Sequence, residues 1–457
     1  MTIARPAMEI DPDLPNYPTI VHALEFAARQ VPDRAALVCE DRSITYAQYA
    51  RAAGGLARLL RELGAAGSRV AILMGNSIEM SVACLGGMAA GAQIAPMNPA
   101  YTDREMMPLL TDTEPAVILC DAALEERARA RAGELGIPNV LVLGEGGAEI
   151  ERWIDDPNVA LPEPLPRSTD PSAIFFTGGT TGVPKGAEHV HSMMMWFCRQ
   201  ILSQWPIDFD SERVLTVAPM FHIWGHHFAN IAPLYMRATL VMLPQYKPDR
   251  VLEQFERHDV TIFAGGPPTI YIGLLTNPEC DTTDFTALKY CLGGGAPFPE
   301  NLLREWEHRT NCAIFENSGM SEGAPLSGTP LYGKHKLRSV GVVPPETEID
   351  IVDIETGTKV LPAMERGEVR VRGPQFTSGY RNRPEETAEA IRDGWLHTGD
   401  IGYFDDDGYL FLVDRKKEMI LVGGYNVYPR EIDEVLYGHP AVHEAAALGF
   451  PDDFKGE

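Results

Sequence analysis

Long apolar runs are missing. No stretch approaches the roughly 18 apolar residues that cross a bilayer, and Met1 to Asp11 shows no basic segment followed by an apolar one, so neither a membrane span nor a secretory leader is expected. Cysteine is sparse. The seven residues Cys39, Cys84, Cys120, Cys198, Cys280, Cys291 and Cys312 are odd in number and never spaced Cys-x-x-Cys, which indicates neither a disulfide framework nor a zinc site and fits a reducing cytoplasm. Positive charge is also short. Against 64 Asp and Glu stand 39 Lys and Arg, a net charge of -25, which argues against nonspecific binding of nucleic acid or anionic membrane. A polyanionic ligand would need a local cationic site in a repulsive overall field. Internal repeats and low-complexity tracts are absent as well.

What is present reads as an ordinary globular chain, with 45% apolar and 23% charged residues. Its 457 residues exceed the ~250 to 300 at which single cores stop growing, so more than one domain is expected. Thr45-x-x-Gln48 is a capping box for a helix whose apolar positions Tyr49, Leu56, Leu59, Leu60 and Leu63 recur at three and four residues and which ends near Gly64. Arg69 to Met74 reads as a strand, Asn76-x-x-Glu79 as the cap of a second helix, and Gln93 to Pro96 as a further strand. The Ala/Gly-rich run Ala83 to Ala92 reads as a close-packed helix. With Ala116 to Cys120 and Val140 to Leu143, the alternation implies a parallel sheet covered on both faces. Pro162 to Pro171 is a polar, proline-rich connector.

That connector leads into the stretch on which the chain is organised. A short apolar run, Ala173 to Phe176, delivers Thr177-Gly-Gly-Thr-Thr-Gly-Val-Pro-Lys-Gly186, where four glycines expose backbone N–H groups, three threonines add hydroxyls and Lys185 adds a charge. This is a phosphate-binding loop on an exposed turn. It is not a Walker A motif, because Pro184 separates the glycine from the lysine and no helix opens there.

Later motifs sit at the ends of further strands. Val214 to Ala218 precedes Pro219-Met-Phe-His222-Ile-Trp224-Gly225, which puts a histidine where open α/β sheets hold ligands. Tyr290 to Pro297 and Ile314 to Glu322 repeat one design, a short strand delivering a glycine-containing turn, and Glu322 offers a hard oxygen ligand suited to Mg²⁺ on a phosphate. Glu348 to Val352 and Glu368 to Arg372 show strand patterning without long helices between them, an antiparallel or barrel-like region. The charged cluster Asp414-Arg-Lys-Lys417 then reads as a linker, and a helix is expected over Pro429 to Tyr437. Only 40 residues follow Lys417, fewer than the ~50 a domain needs.

In order, residues 173 to 186, Pro219 to His222, Gly293 to Pro297, Gly319 to Glu322, Trp395 to Asp400, Asp414 to Lys417 and Gly424 to Pro429 resemble the core motifs of the adenylate-forming superfamily. The resemblance spans essentially the whole chain and is strongest to fatty acyl-CoA ligases. It implies an α/β fold with a large N-terminal domain (1–413) of two doubly wound sheets plus a small β-barrel-like subdomain, a hinge (414–417), and a truncated α+β C-terminal domain (418–457). The reaction implied is ATP-dependent activation of a hydrophobic monocarboxylic acid to an acyl-adenylate, followed by transfer to coenzyme A. Small-molecule acid, ATP, Mg²⁺ and coenzyme A are the implied partners and cofactors, with a homodimer left open.

The resemblance also assigns residues. Thr177, Gly178, Gly179, Thr180, Thr181, Gly182 and Lys185 would cradle the β- and γ-phosphates, and Glu322 would hold the metal. Gly295, Ala296, Pro297, Asn317, Ser318 and Gly319 would enclose adenine, with Met320 and Ser321 in the same nucleotide-binding stretch, while Asp400 and Arg415 would fix the ribose. His222 would sit by the carboxylate, Lys417 at the hinge and Gly424 in the loop lining the pantetheine tunnel. Thr177, Lys185, His222 and Glu322 are the implied catalytic set. Two departures stand out: Ser318 replaces an aromatic residue that stacks on adenine in the family, and Ser321 replaces a threonine. The family's adenylation lysine would lie beyond Glu457. A carrier-protein-loading adenylation enzyme and a ligase for an aryl or alicyclic acid are the alternatives.

Overall fold

The computed structural model describes residues 8–148, 150–177, 184–205, 207–331, 333–422, 425–437, 442 and 445–452. Two large sheets and their helices make up most of it. The first has six strands in the order Asn139–Val142, Val117–Cys120, Arg69–Leu73, Gln93–Met97, Pro171–Thr177 and Lys185–Val190, parallel until the last pair, which is antiparallel. The second has eight, ordered Gly323–Gly328, Ile314–Met320, Tyr290–Gly293, Ile262–Gly266, Arg213–Thr216, Thr239–Met242, Ala35–Cys39 and Arg42–Thr45. It is parallel inside and antiparallel at both edges. The parallel strands are almost wholly buried, as expected when helices cover both faces.

A single core joins the two sheets through helices Tyr46–Glu62, Ile78–Ala89 and His191–Gln204. Every residue of Ile78–Ala89 is buried, which its small side chains permit. A Cβ on Gly86 would stand 2.8 Å from Leu56 Cδ2, and one on Gly87 2.6 Å from Ile94 Cγ2, so these glycines set how closely helix meets helix and sheet. The capping box at Thr45 forms as expected, with Gln48 N–H donating to Thr45 Oγ1 (3.3 Å) and Thr45 N–H to Gln48 Oε1 (2.8 Å). The helix ends at Leu63, and Gly64 follows at φ 78°.

The second cap differs from expectation. Ser77, not Asn76, closes helix Ile78–Ala89 by accepting from Met80 N–H (3.0 Å). Asn76 is used between the sheets instead. Its Nδ2 donates to the Ala218 carbonyl (3.0 Å) and its Oδ1 accepts from Met220 N–H (2.8 Å), which ties the end of one sheet to the loop after a strand of the other.

The third sheet is antiparallel. Glu348–Val352, Gly367–Arg372 and Trp395–Phe404 pair in turn, and Ile391–Arg392 and Leu410–Arg415 both add to Trp395–Phe404, over a small core of Ile349, Ile351, Val369, Val371, Leu396 and Phe404. Here the charged cluster departs from a simple linker. Asp414 and Arg415 lie in the last strand, opposite Ile401 and Asp400, because the ladder continues past Val413. The strands Ile420–Val422 and Tyr425–Val427 and helix Pro429–Tyr437 follow the turn, with Tyr428 buried against Ile401 and Val413. Among the described residues no helix is long and apolar enough to cross a membrane.

Candidate active site

The phosphate stretch is a hairpin. Pro171–Thr177 and Lys185–Val190 pair antiparallel with Thr177 opposite Lys185, so Lys185 opens a strand and is half-buried, where the sequence suggested an exposed loop. Gly178, Gly179, Thr180, Thr181 and Gly182 lie outside the described residues.

Across this hairpin runs the segment 376–381. Ala187 pairs with Tyr380, Gly323 pairs with Phe376, Arg381 N–H donates to the Gly186 carbonyl (2.8 Å), and Thr377 N–H donates to the Glu322 carbonyl (2.7 Å). Only glycine fits at 323, since a Cβ there would stand 2.4 Å from the Gln375 carbonyl oxygen. The result is a continuous link. Lys185 Nζ lies 5.4 Å from the centre of the Tyr380 ring, and the Tyr380 hydroxyl donates to Glu322 Oε1 at 2.6 Å. Burial, and then the Glu322 carboxylate, push the Tyr380 phenol upward, so it stays a proton donor. Glu322 is 6% exposed and is the first residue after the strand Ile314–Met320 and Ser321, in a tight hairpin with Gly323–Gly328. Gly319 therefore sits inside a strand, and the turn falls at Ser321 and Glu322.

The neighbouring pieces converge on this link. Gly295, at φ 81°, Ala296 and Pro297 form an exposed turn after Tyr290–Gly293. A Cβ on Gly294 would stand 2.5 Å from the Asn317 carbonyl oxygen, so the turn lies beside the strand carrying Asn317, Ser318, Gly319 and Met320. Ser321 offers its carbonyl to His189 Nε2 (2.8 Å). Asp400 accepts from Arg415 Nε (2.8 Å), the two facing each other across the strands. Burial raises the Asp400 carboxyl, Arg415 opposes that rise, and Glu322 is close enough to add to it.

His222 stands at the other side. It caps the short helix Ile223–Gly225, Nδ1 accepting from Trp224 N–H (3.3 Å), and the turn is possible because a Cβ at Gly225 would lie 2.1 Å from the Pro219 carbonyl oxygen. The ring reaches solvent, yet the protein packed around it lowers its pKa and favours the neutral imidazole. The Trp224 indole fits between two strand ends, against Gly266 and Gly294, and its Nε1 is buried without a partner. Lys417 remains apart, half-exposed on the turn after Arg415, with Glu418 as its nearest charge at 4.0 Å. Gly424 lies outside the described residues.

Tyr380 was not singled out from the sequence, and Asn76 was read there only as a helix cap. A signal for Tyr380 exists in Thr377-Ser-Gly-Tyr380, a glycine turn with an aromatic, but its role depends on crossing two distant strands.

A family model described as AMP-binding enzyme matches residues 24–381. The chain is 33% identical over 479 residues to a long-chain-fatty-acid–CoA ligase of Bacillus subtilis (strain 168), covering 97% of this chain and 85% of that protein. It is 34% identical over 437 residues to a feruloyl-CoA synthase of Amycolatopsis sp, covering 94% and 85%. Among solved structures, ATP-bound MatB from Rhodopseudomonas palustris superposes with a TM-score of 0.87 at 30% identity, over 95% of this chain and 87% of that one.

Proposed function

The chain belongs to the AMP-binding enzyme family, and from that premise we propose that it activates a hydrophobic monocarboxylic acid, a fatty acid in the first instance, with ATP and passes the acyl group to coenzyme A. The observation that carries this reading is the link Lys185–Tyr380–Glu322 at the Thr177/Lys185 hairpin, one tyrosine with a cation over its ring and a carboxylate on its hydroxyl.

A carboxylate is a poor electrophile. Its oxygen attacks the α-phosphorus of ATP, pyrophosphate leaves, and the coenzyme A thiol then displaces AMP from the acyl-adenylate. The protein's share is positioning and charge stabilisation. Lys185 and Thr177 would bind the departing phosphates, Asp400 the ribose with Arg415 holding it, and Gly295 to Pro297 with Asn317 to Ser321 the base. His222, neutral, would donate a hydrogen bond to the acid's carboxylate.

Magnesium is implied by the family, and the residues fit it. Tyr380 occupies Oε1 of Glu322, while Oε2 takes no hydrogen bond among the described residues. Among those residues no group of three or more His, Cys, Asp or Glu is arranged to hold a metal ion by itself. One carboxylate oxygen completed by phosphate and water is the usual arrangement for Mg²⁺. When bound, the ion supplies charge neutralisation on the transferred phosphoryl group. Lys417 would be the pivot that exchanges the faces used in the two half-reactions, with Gly424 near the thiol's path.

Residues 220–231, 264–271 and 293–295 contain no arginine to pair a second carboxylate, which supports a monocarboxylic acid. An aryl acid is the second reading, favoured by the 34% identity to a feruloyl-CoA synthase. An acid panel scored by pyrophosphate release, then by coenzyme A thioester formation, tests the proposal. Turnover of hydrophobic monocarboxylic acids is expected. Preference for a dicarboxylate, or release of pyrophosphate without any thioester, would overturn it.

A further inference from the structure

Beyond Lys417 the chain turns back onto the sheet it has just left. Tyr428 is 6% exposed and closes a small apolar cluster with Ile401 and Val413, from the strands Trp395–Phe404 and Leu410–Arg415. Arg430 then makes two bonds to the last of these strands, its N–H donating to Asp414 Oδ2 (3.1 Å) and its Nη1 to the Leu412 carbonyl (2.8 Å). Glu431 completes the set. Its Oε1 accepts from Arg366 Nη2 (2.7 Å), and the Arg366 guanidinium stands 5.4 Å from the centre of the Tyr428 ring. In each of these contacts one partner precedes Lys417 and the other follows it.

The joint they make is open inside. A cavity of about 390 Å³ lies at it, bounded by Leu337, Arg338, Tyr403 and Phe411 on the side before Lys417 and by Arg430 and Glu431 on the side after it. Domain cores are filled at close to crystal density, whereas contacts between domains that move are smaller and more polar. One buried aromatic ring and a few directional polar bonds can be released without breaking a core.

The contacts differ in strength. The side chains of Arg366 and Glu431 are 41% and 48% exposed, and an ion pair so wetted contributes little. Arg430 is half-buried, so its bond from a charged group to a carbonyl is the stronger tie. We propose that Arg430, aided by the Arg366–Glu431 pair, is a latch that holds the segment after Lys417 against the antiparallel sheet and must release before the chain can turn at Lys417. The inference rests on the two-step ligase reading above and adds to it the contacts that decide how long one arrangement lasts.

Arg430, Arg366 and Glu431 act as positioning residues, and that role has a signature. Each half-reaction needs its own arrangement, so a weaker latch moves population from the latched arrangement to the released one and shifts the two rates against each other. A defect of folding lowers both together.

The test places a reporter under the latch. Val413 is 8% exposed and packs against Tyr428, and the native cysteines are buried except the half-buried Cys39, so maleimide labelling of Val413→Cys, read at that position by peptide mass, tracks opening of the joint. In this background Arg430→Met should label at least about 10-fold faster, and Arg366→Glu or Glu431→Arg about 2- to 5-fold faster, with the double reversal back within about 2-fold of the parent. Without the reporter, the ratio of thioester formation to pyrophosphate exchange, measured within each preparation of the full-length enzyme, should shift in the same order of variants and return in the double reversal. Labelling that Arg430→Met leaves unchanged overturns the latch while the ligase reading stands. Faster labelling with an unchanged ratio overturns it as well, because the joint would then open without bearing on either half-reaction. No turnover of any acid would remove the ligase reading and the latch's role together.

Discussion

Tyr380 shows how a residue outside the obvious motifs can set the geometry of one inside them. Its hydroxyl holds Oε1 of Glu322 at 2.6 Å while its ring faces Lys185, so one side chain orients both the carboxylate and the cation. Tyr380→Phe keeps the ring and removes the donor. A hydrogen bond to a charged group is worth roughly 1.5–3 kcal/mol, so kcat/KM for pyrophosphate exchange is expected to fall roughly 10- to 100-fold while the thermal midpoint drops only a few degrees. Exchange at the parental rate would mean that Glu322 needs no such support. Lys185 and Glu322 were legible from the sequence by residue type and position after a strand. Tyr380 was not, because a tyrosine 58 residues downstream acquires its meaning only when its segment crosses the strand edge.

Among elements, the run Asp414 to Lys417 divides into two parts that sequence pattern treats alike. Asp414 and Arg415 belong to a strand. Lys416 is anchored, its N–H donating to the Gly399 carbonyl (2.8 Å) and its Nζ 3.1 Å from the buried Glu368. Lys417 N–H donates no hydrogen bond among the described residues. Proline at 417 therefore removes no backbone hydrogen bond of the described residues while fixing φ near about -65°, and it should block the φ/ψ change a hinge requires. In Lys417→Pro, pyrophosphate exchange and thioester formation should separate, one persisting and the other falling at least ~10-fold. Parental rates for both would exclude 417 as the pivot. The helices were the most legible elements: the Thr45/Gln48 box and the close-packed glycines announce themselves locally. Asn76 could not be read correctly. Its side chain satisfies Ala218 and Met220 rather than its own helix, a choice made by the docking of two sheets and invisible in a window of ten residues.

For the whole molecule, buried titratable groups fix the pH response. Burial lowers His189 and His191 to about 4, His226 to about 3 and His227 well below its ordinary value, so the folded protein keeps them neutral while the unfolded chain takes up protons below about pH 6.5. Their stability contribution is present above that pH and is lost as pH falls toward 4. Glu316 acts in the opposite sense. Burial raises it to about 7, so between the ordinary carboxylate range and about 7 the folded state holds the extra proton and stability falls as pH rises. Four histidines outweigh one carboxyl. Acidification from about pH 7 to pH 5 should lower the urea midpoint, and His191→Gln should make the dependence shallower. A midpoint that is flat or rises on acidification would contradict this balance. Finally, Asn76 accepts from Met220, 144 positions further along the chain. During synthesis at about 5–20 residues per second, its partner follows it off the ribosome by roughly 7–30 seconds. Asn76 therefore stays without these partners until the segment 218–220 has been made, and the wholly buried helix Ile78–Ala89 that follows it must wait for cover from the later part of the chain.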